Sequence, residues 1–500
     1  MKHRLRGTSM ALAITSALAA GPGLLAPAHA INLAPNGKGE VLIFPYYTVR
    51  NGFDTLLSVT NTSDRTVLAN LRLREANNGR PVLEFHIALA PYDVWTGAVT
   101  IDDTDGALVR SFDATCTAPA LGAGPGGSTQ VALTPSNFDG TGALPYDNGS
   151  RQLSRVQEGF IEVIEMGIST VPASSIPATG SSIETSAQHV SGTPRNCASI
   201  QDIFGNAGNF AASGSGTALP ASPFASFEAP KNVLLGSATL INVGSGHAYD
   251  ATPTTIQNFR QSAPIIYRAG SGKPTLAHGD TGMTASRFDS DGSLVATPNI
   301  AGSVDAVSVL LMADQILNDF ATGTTDTSSA RTDWVLTFPT KHFYTDSVEA
   351  GAGTLGPFTQ LFQTTGRSCD KFLFTYVERE PFWGPFAFPL DIGSGSFGYP
   401  GDVPPPTPFD ELCGSVSVRA FDPSFGVKPG ILAGAIAFPR LFFDYPSGTA
   451  WITFPLVNTQ VLGAPEVLRN GLLDEAATRR NRKLGRQELI FTNTPTQRLE

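Results

Sequence analysis

Residues Val41 to Val99 read VLIFPYYTVRNGFDTLLSVTNTSDRTVLANLRLREANNGRPVLEFHIALAPYDVWTGAV. Short apolar runs alternate with turn residues throughout. Val41-Leu42-Ile43-Phe44 opens a strand, and Pro45 marks an edge or a bulge, because it has no amide proton to give to a ladder. Arg50-Asn51-Gly52-Phe53 turns the chain, and Thr55–Thr62 forms the next strand. After Ser63-Asp64-Arg65, the residues Val67, Ala69, Leu71 and Leu73 alternate with outward polar positions up to Arg74. Asn77-Asn78-Gly79-Arg80 is a hairpin signal, since Asn and Gly accept positive φ. Val82–Leu89 returns, and Ala90-Pro91-Tyr92-Asp93 leads into Val94-Trp95. Strands at this spacing predict a mainly β chain of antiparallel sandwich architecture.

Composition agrees. The 500 residues include 51 glycines, 37 prolines and 31 phenylalanines, with 15% charged and 41% apolar residues. That mixture suits short strands and many turns more than helical bundles. The start of the chain reads as an export signal. Lys2, Arg4 and Arg6 precede an apolar stretch that closes on Ala28-His29-Ala30, a small-x-small cleavage site. The mature chain then begins at Ile31. Without the three basic residues, the formal charge moves from −10 to −13. This acidic balance argues against nucleic acid as a partner, which needs a clustered basic face; the basic run Arg479–Lys483 reads as part of a solvated tail.

Cys116, Cys197, Cys369 and Cys413 have no close metal-ligand spacing. In an exported chain an even number predicts two disulfides. Pairing sequence neighbours, Cys116 with Cys197 and Cys369 with Cys413, closes one turn-rich insertion each. After residue 30 no apolar run is long enough for a membrane-spanning helix.

Five regions follow from these readings. Residues 1–30 are the signal peptide and 31–168 an N-terminal Ig-like region. Residues 169–228 are rich in Ser, Thr, Gly and Pro and read as a flexible insertion. A second β-rich region occupies 229–470, with a helix near 304–320 on the spacing of Val304, Val307 and Leu311. A charged tail occupies 471–500. Ser58-Val59-Thr60-Asn61-Thr62 before a turn, followed by paired strands closing on a proline, resembles the Ig-like modules of exported bacterial proteins. That resemblance implies a scaffold and no particular activity.

Chemical motifs are sparse. HExxH and GxSxG are both absent. His86 lies in an alternating strand and His342 follows a strand end, and both read as structural. Asp102, Asp103 and Asp105 in one turn, and Asp289 and Asp291 in another, are the calcium candidates; Asn137–Gly140 forms a third acidic turn. An Asx turn explains each of them as well. Glu162 and Glu165, or Glu378 and Glu380, are the candidate carboxylate pairs for sugar hydrolysis; the latter two share a strand face about 7 Å apart, and such pairs are also common on solvated faces. The leading expectation is a secreted or cell-surface sandwich protein with a structural, adhesive or binding role. An extracellular carbohydrate hydrolase and an outer-membrane protein are the alternatives. Calcium is the only cofactor considered. Partners are further copies of the chain, through Val41–Phe44 as a donated strand, or other envelope components.

Overall fold

A computed structural model describes residues 30–211, 216–220, 222–288 and 293–312. Beyond these it describes 316–322, 324–325, 328–329, 332–348, 358, 360–378, 410–420, 430–445, 448–452, 458–463 and 490–493. The chain is mainly β, with large antiparallel and mixed sheets.

A ten-stranded sheet runs from Leu294–Ile300 through Met283–Phe288, Ala30–Leu33, Thr254–Gln257 and Val41–Thr48. It continues through Glu158–Pro172, Arg65–Glu75 and Pro81–Leu89 to Cys116–Ala118, and Phe227–Glu228 pairs on the side. One neighbouring pair is parallel, Ala30–Leu33 with Met283–Phe288. A seven-stranded sheet runs His247–Asp250, Leu234–Asn242, Asp54–Asn61, Val94–Ile101, Ala107–Ser111, Thr129–Ala132 and Gly122–Ala123. Both sheets take strands from before and after the 169–228 segment.

Strand periodicity explains the core. Leu57 and Val59 share a face, as do Trp95 and Val99, and these meet Leu42, Phe44, Leu71, Leu73 and Phe85 of the larger sheet in one buried cluster. Phe85 and Trp95 pack edge to face at 5.5 Å. Trp95 lies across its own strand, where a Cβ on Gly97 would stand 2.6 Å from the indole. Glycine therefore belongs at 97.

Pro45 does not lie at an edge. Val41–Thr48 is buried along its length between two neighbours. The register slips between Gly159 and Ile161 opposite Tyr47 and Phe44, so a bulge accommodates the proline. A Cβ on Gly159 would stand 1.8 Å from the Arg74 carbonyl oxygen, so only glycine permits this approach. Val41–Phe44 is thus an interior strand of its own sheet, and the donated-strand reading loses its strand.

Two further expectations are corrected. The 169–228 segment carries the helices Ile183–Ala187 and Cys197–Gly205. Its Ile183, Ile200, Phe204, Phe210 and Phe224 bury themselves with Leu68, Ala88 and Met166 of the larger sheet. The predicted helix near 304–320 exists only as Ser303–Leu310, whereas Ile316–Thr322 is a strand paired with Gly430–Tyr445. A sheet partner outranks the modest helix propensity of so short a run. Residues 1–29, which hold the signal reading, lie outside the described residues, as does nearly all of 471–500.

Both disulfides form as expected, Cys116–Cys197 and Cys369–Cys413. The first ties the helix Cys197–Gly205 to the edge strand Cys116–Ala118. In the second the cysteines are direct register partners on adjacent strands. Two disulfides fit an oxidising, extracytoplasmic location. Peptide mapping of the unreduced protein is expected to recover these two linked pairs. A Cys116–Cys369 peptide would contradict this fold.

Candidate functional site

The two sheets differ in what covers their outer faces. The seven-stranded sheet leaves a shallow groove of about 510 Å³ on its outer side. Alternation builds it: with Leu57, Val59, Trp95 and Val99 turned inward, Leu56, Ser58, Thr96, Ala98 and Thr100 turn outward. Strand register sets them in rows. Ser237, Ser58 and Thr96 form one row, and Thr239, Leu56, Ala98 and Arg110 the next. The Ser58 and Ser237 hydroxyls meet at 2.8 Å.

The groove floor is held by side-chain bonds. The Thr96 amide and hydroxyl both donate to Asp113 Oδ2, at 3.1 and 3.2 Å. Ser111 Oγ donates to the Thr96 carbonyl at 2.6 Å. At the rim Phe112 is 74% exposed, and Leu56 on the floor is 44% exposed. Arg110 donates from Nη2 to Gln130 Oε1 at 3.2 Å, while its Nε has no partner. Asp54 also lines the groove. The surface offers hydroxyls, one cation, one anion and two apolar side chains, which is the equipment for binding.

The central strands of the ten-stranded sheet, 41–48, 65–75 and 158–169, are covered on both faces, and their polar outer face is the main feature that sequence reasoning missed. Asn70, Arg72 and Arg74 alternate outward on one strand, yet all three are buried. Arg74 Nε donates to Glu162 Oε2 at 2.9 Å, and Arg72 pairs with Glu84 at 2.9 Å and donates to the Pro274 carbonyl. At the sheet end, Arg155 donates to both Glu75 and Asp147, and Arg80 to Asp346. Asn78 donates to Asp147 and Asp346, joining these pairs. The Glu75 carboxylate also accepts the amides of Asn77, Asn78 and Arg80, so it fixes the hairpin that the Asn-Asn-Gly-Arg sequence announced.

This network links the hairpin, the 137–149 loop and the 338–346 segment. Burial alone would raise the Asp147 carboxyl, but Arg155 outweighs it and holds the group below the usual range. Burial also lowers the Lys341 ammonium, against the opposing pull of Asp370 at 3.0 Å. His86 and His342 are both buried. His86 bonds Asn70 and the Tyr267 carbonyl, and burial lowers it to about 4. Burial, then Arg74 and Arg72, hold His342 far below its usual value.

A second buried cluster contains Glu40 and Glu165. Burial raises Glu40 to about 8 with help from Glu165, although the Arg260 amide donates to it. Burial raises Glu165 to about 7, against the donating amides of Lys231 and Val233.

The residues singled out from sequence do not converge. Asp102, Asp103 and Asp105 sit in the exposed hairpin between Val94–Ile101 and Ala107–Ser111, where Thr104 Oγ1 donates to Asp102. Asp139 likewise accepts from the amide and hydroxyl of Thr141, as an Asx turn does. Among the described residues no group of three His, Cys, Asp or Glu side chains is placed to hold a metal. Asp289, Asp291 and Glu380 lie outside the described residues. Glu378 ends the strand Cys369–Glu378, opposite Gly434. Among the described residues no helix is long and apolar enough to cross a membrane. Comparison with known proteins finds no matching family model, no similar curated protein and no similar solved structure.

Proposed function

We propose that this is a secreted or cell-surface β-sandwich protein with a binding role, and that it binds through the outer face of its seven-stranded sheet. The observation that carries this is the asymmetry of the two sheets. The central strands of the larger one bury even Arg72, Arg74, Glu75 and Glu162, whereas the smaller one leaves Leu56, Phe112 and a hydroxyl array in solvent. The single core between the two sheets supports the sandwich, and strands 54–61, 65–75, 81–89 and 94–101 are its Ig-like part. The disulfides support export.

Fractionation of the source cell with alkylation of free thiols tests the location. The protein is expected outside the cytoplasm with its cysteines oxidised; a reduced cytoplasmic form would overturn the proposal. Cosedimentation with isolated cell envelopes tests the role. The wild type is expected in the pellet, and a folded Leu56→Ser, Phe112→Ser double variant in the supernatant. Equal partitioning of the two would reject this face as the contact surface.

A further inference from the structure

We infer that the outer face of the seven-stranded sheet binds a neutral polysaccharide; this names the ligand class for the binding role proposed above and rests on it. The chemistry of the face selects the ligand. Across four strands it measures about 14 Å, and along them about 13 Å. It is flat and open rather than a deep cavity, which suits a stretch of polymer better than a small molecule.

Its charges balance. Asp54 and Arg110 are the charged groups of the groove, in a protein whose formal charge is −10. A polyanion meets one cation and the repulsion of the whole molecule. A polycation meets an anion and an arginine together. A neutral partner rich in hydroxyls meets matching donors and acceptors, because each Ser or Thr hydroxyl both gives and accepts.

One group of the groove retains bonding capacity. The Asp54 carboxylate makes no hydrogen bond or ion pair with the described residues. Sugar hydroxyls can donate to it. Phe112 at the rim supplies an apolar ring for the C–H face of a sugar, and Leu56 supplies an apolar patch within the floor. A protein partner is the poorer fit, since interface cores are built on larger apolar and aromatic anchors than this floor of Ser, Thr and Ala provides.

Affinity electrophoresis of the full mature protein tests the inference, in native gels cast with dextran, xyloglucan or galactomannan, and with alginate as the anionic comparison. Retardation is expected in at least one neutral gel and not in alginate. Phe112→Ala is expected to weaken binding about tenfold, as loss of an aromatic anchor does, with Thr96→Val as a second variant. Both sit on the surface, and their thermal melting is expected to match the wild type. Absence of retardation in all neutral gels overturns the inference, as does full retardation of folded Phe112→Ala. If envelopes still bind the protein while every neutral gel fails, the binding role stands and the glycan falls. If envelopes fail as well, both fall.

Discussion

Arg155→Met is expected to destabilise the protein by about 3–5 kcal/mol, the cost of leaving a buried charge without its partner. Arg155 lies between Glu75 and Asp147, all three buried, and its guanidinium also stacks 4.2 Å from the Phe138 ring. Methionine keeps much of the volume and removes the charge. Glu75 keeps its three backbone donors, but Asp147 loses the group that holds it ionised. The variant is therefore expected to recover part of the loss on acidification, which lets Asp147 take up a proton more readily once Arg155 is gone. Urea unfolding at pH 7 and pH 5 measures both effects. Arg50→Met is the comparison. Arg50 and Glu158 form a half-exposed pair at 3.3 Å, which is worth at most about 1 kcal/mol. Equal losses in the two variants would show that the buried network does not hold the hairpin, the 137–149 loop and the 338–346 segment together.

The second large effect is on pH. Stability is expected to peak near pH 6.5 and fall on either side. Above it, Glu40 keeps its proton in the folded state to about 8 and Glu165 to about 7, while the unfolded chain has already lost both near 4.5. The folded state then binds more protons, so raising the pH favours unfolding. From pH 6.5 to 8 the two glutamates together cost on the order of 2 kcal/mol, about half of it offset as the unfolded histidines lose their remaining protons. Below pH 6.5 the histidines act in the opposite sense. Burial first, then Lys273, lowers His278 to about 4, and His86 and His342 are lowered too. Unfolded histidines take up protons from 6.5 downward while these three do not, so acid favours unfolding. Three histidines outweigh the two glutamates in that range. Glu40→Gln, which like the protonated acid both donates and accepts, is expected to flatten the alkaline side and to steepen the acid side, where Glu40 otherwise opposes the histidines down to about 4.5. Thermal melts from pH 4.5 to 8.5 read this directly. An unchanged alkaline slope in Glu40→Gln would remove Glu40 as its source.

Much of the local β structure was legible because it is written in period two. The strands Asp54–Asn61, Arg65–Glu75, Pro81–Leu89 and Val94–Ile101 follow the alternation of their apolar residues, and Asn77–Arg80 the turn chemistry. The disulfide pairing was one of three open to the sequence, preferred because each pair closes one turn-rich insertion, and it is the pairing found. The same periodicity misled over Arg72, Arg74 and Glu162. Outward on an alternating strand reads as solvated, but a second layer covers this face, and a local pattern carries no sign of a layer contributed by residues 258–280 and 338–346. The 169–228 segment was illegible for a related reason. Ile183, Ile200, Phe204 and Phe224 are too far apart for any period, and they converge only because helices, turns and a disulfide bring them to the sheet. The groove was not legible: Thr55–Thr62 was read as a strand, but the neighbour that completes the row, Ser237, lies 179 residues further along the chain.

The first described strand shapes the order in which this molecule is completed. Ile31 is fully buried, and Ala30–Leu33 is seated between Thr254–Gln257 and Met283–Phe288. A chain that emerges N-terminus first, from a ribosome or a translocation pore, presents Ile31 more than two hundred residues before either neighbour. During that interval Val41–Thr48 also lacks one of its two flanking strands. The larger sheet closes late, through contacts of high sequence separation, and such folding is slow and leaves unpaired edges open to other chains. A helper that shields extended apolar strands would act during this interval, before the sheet closes.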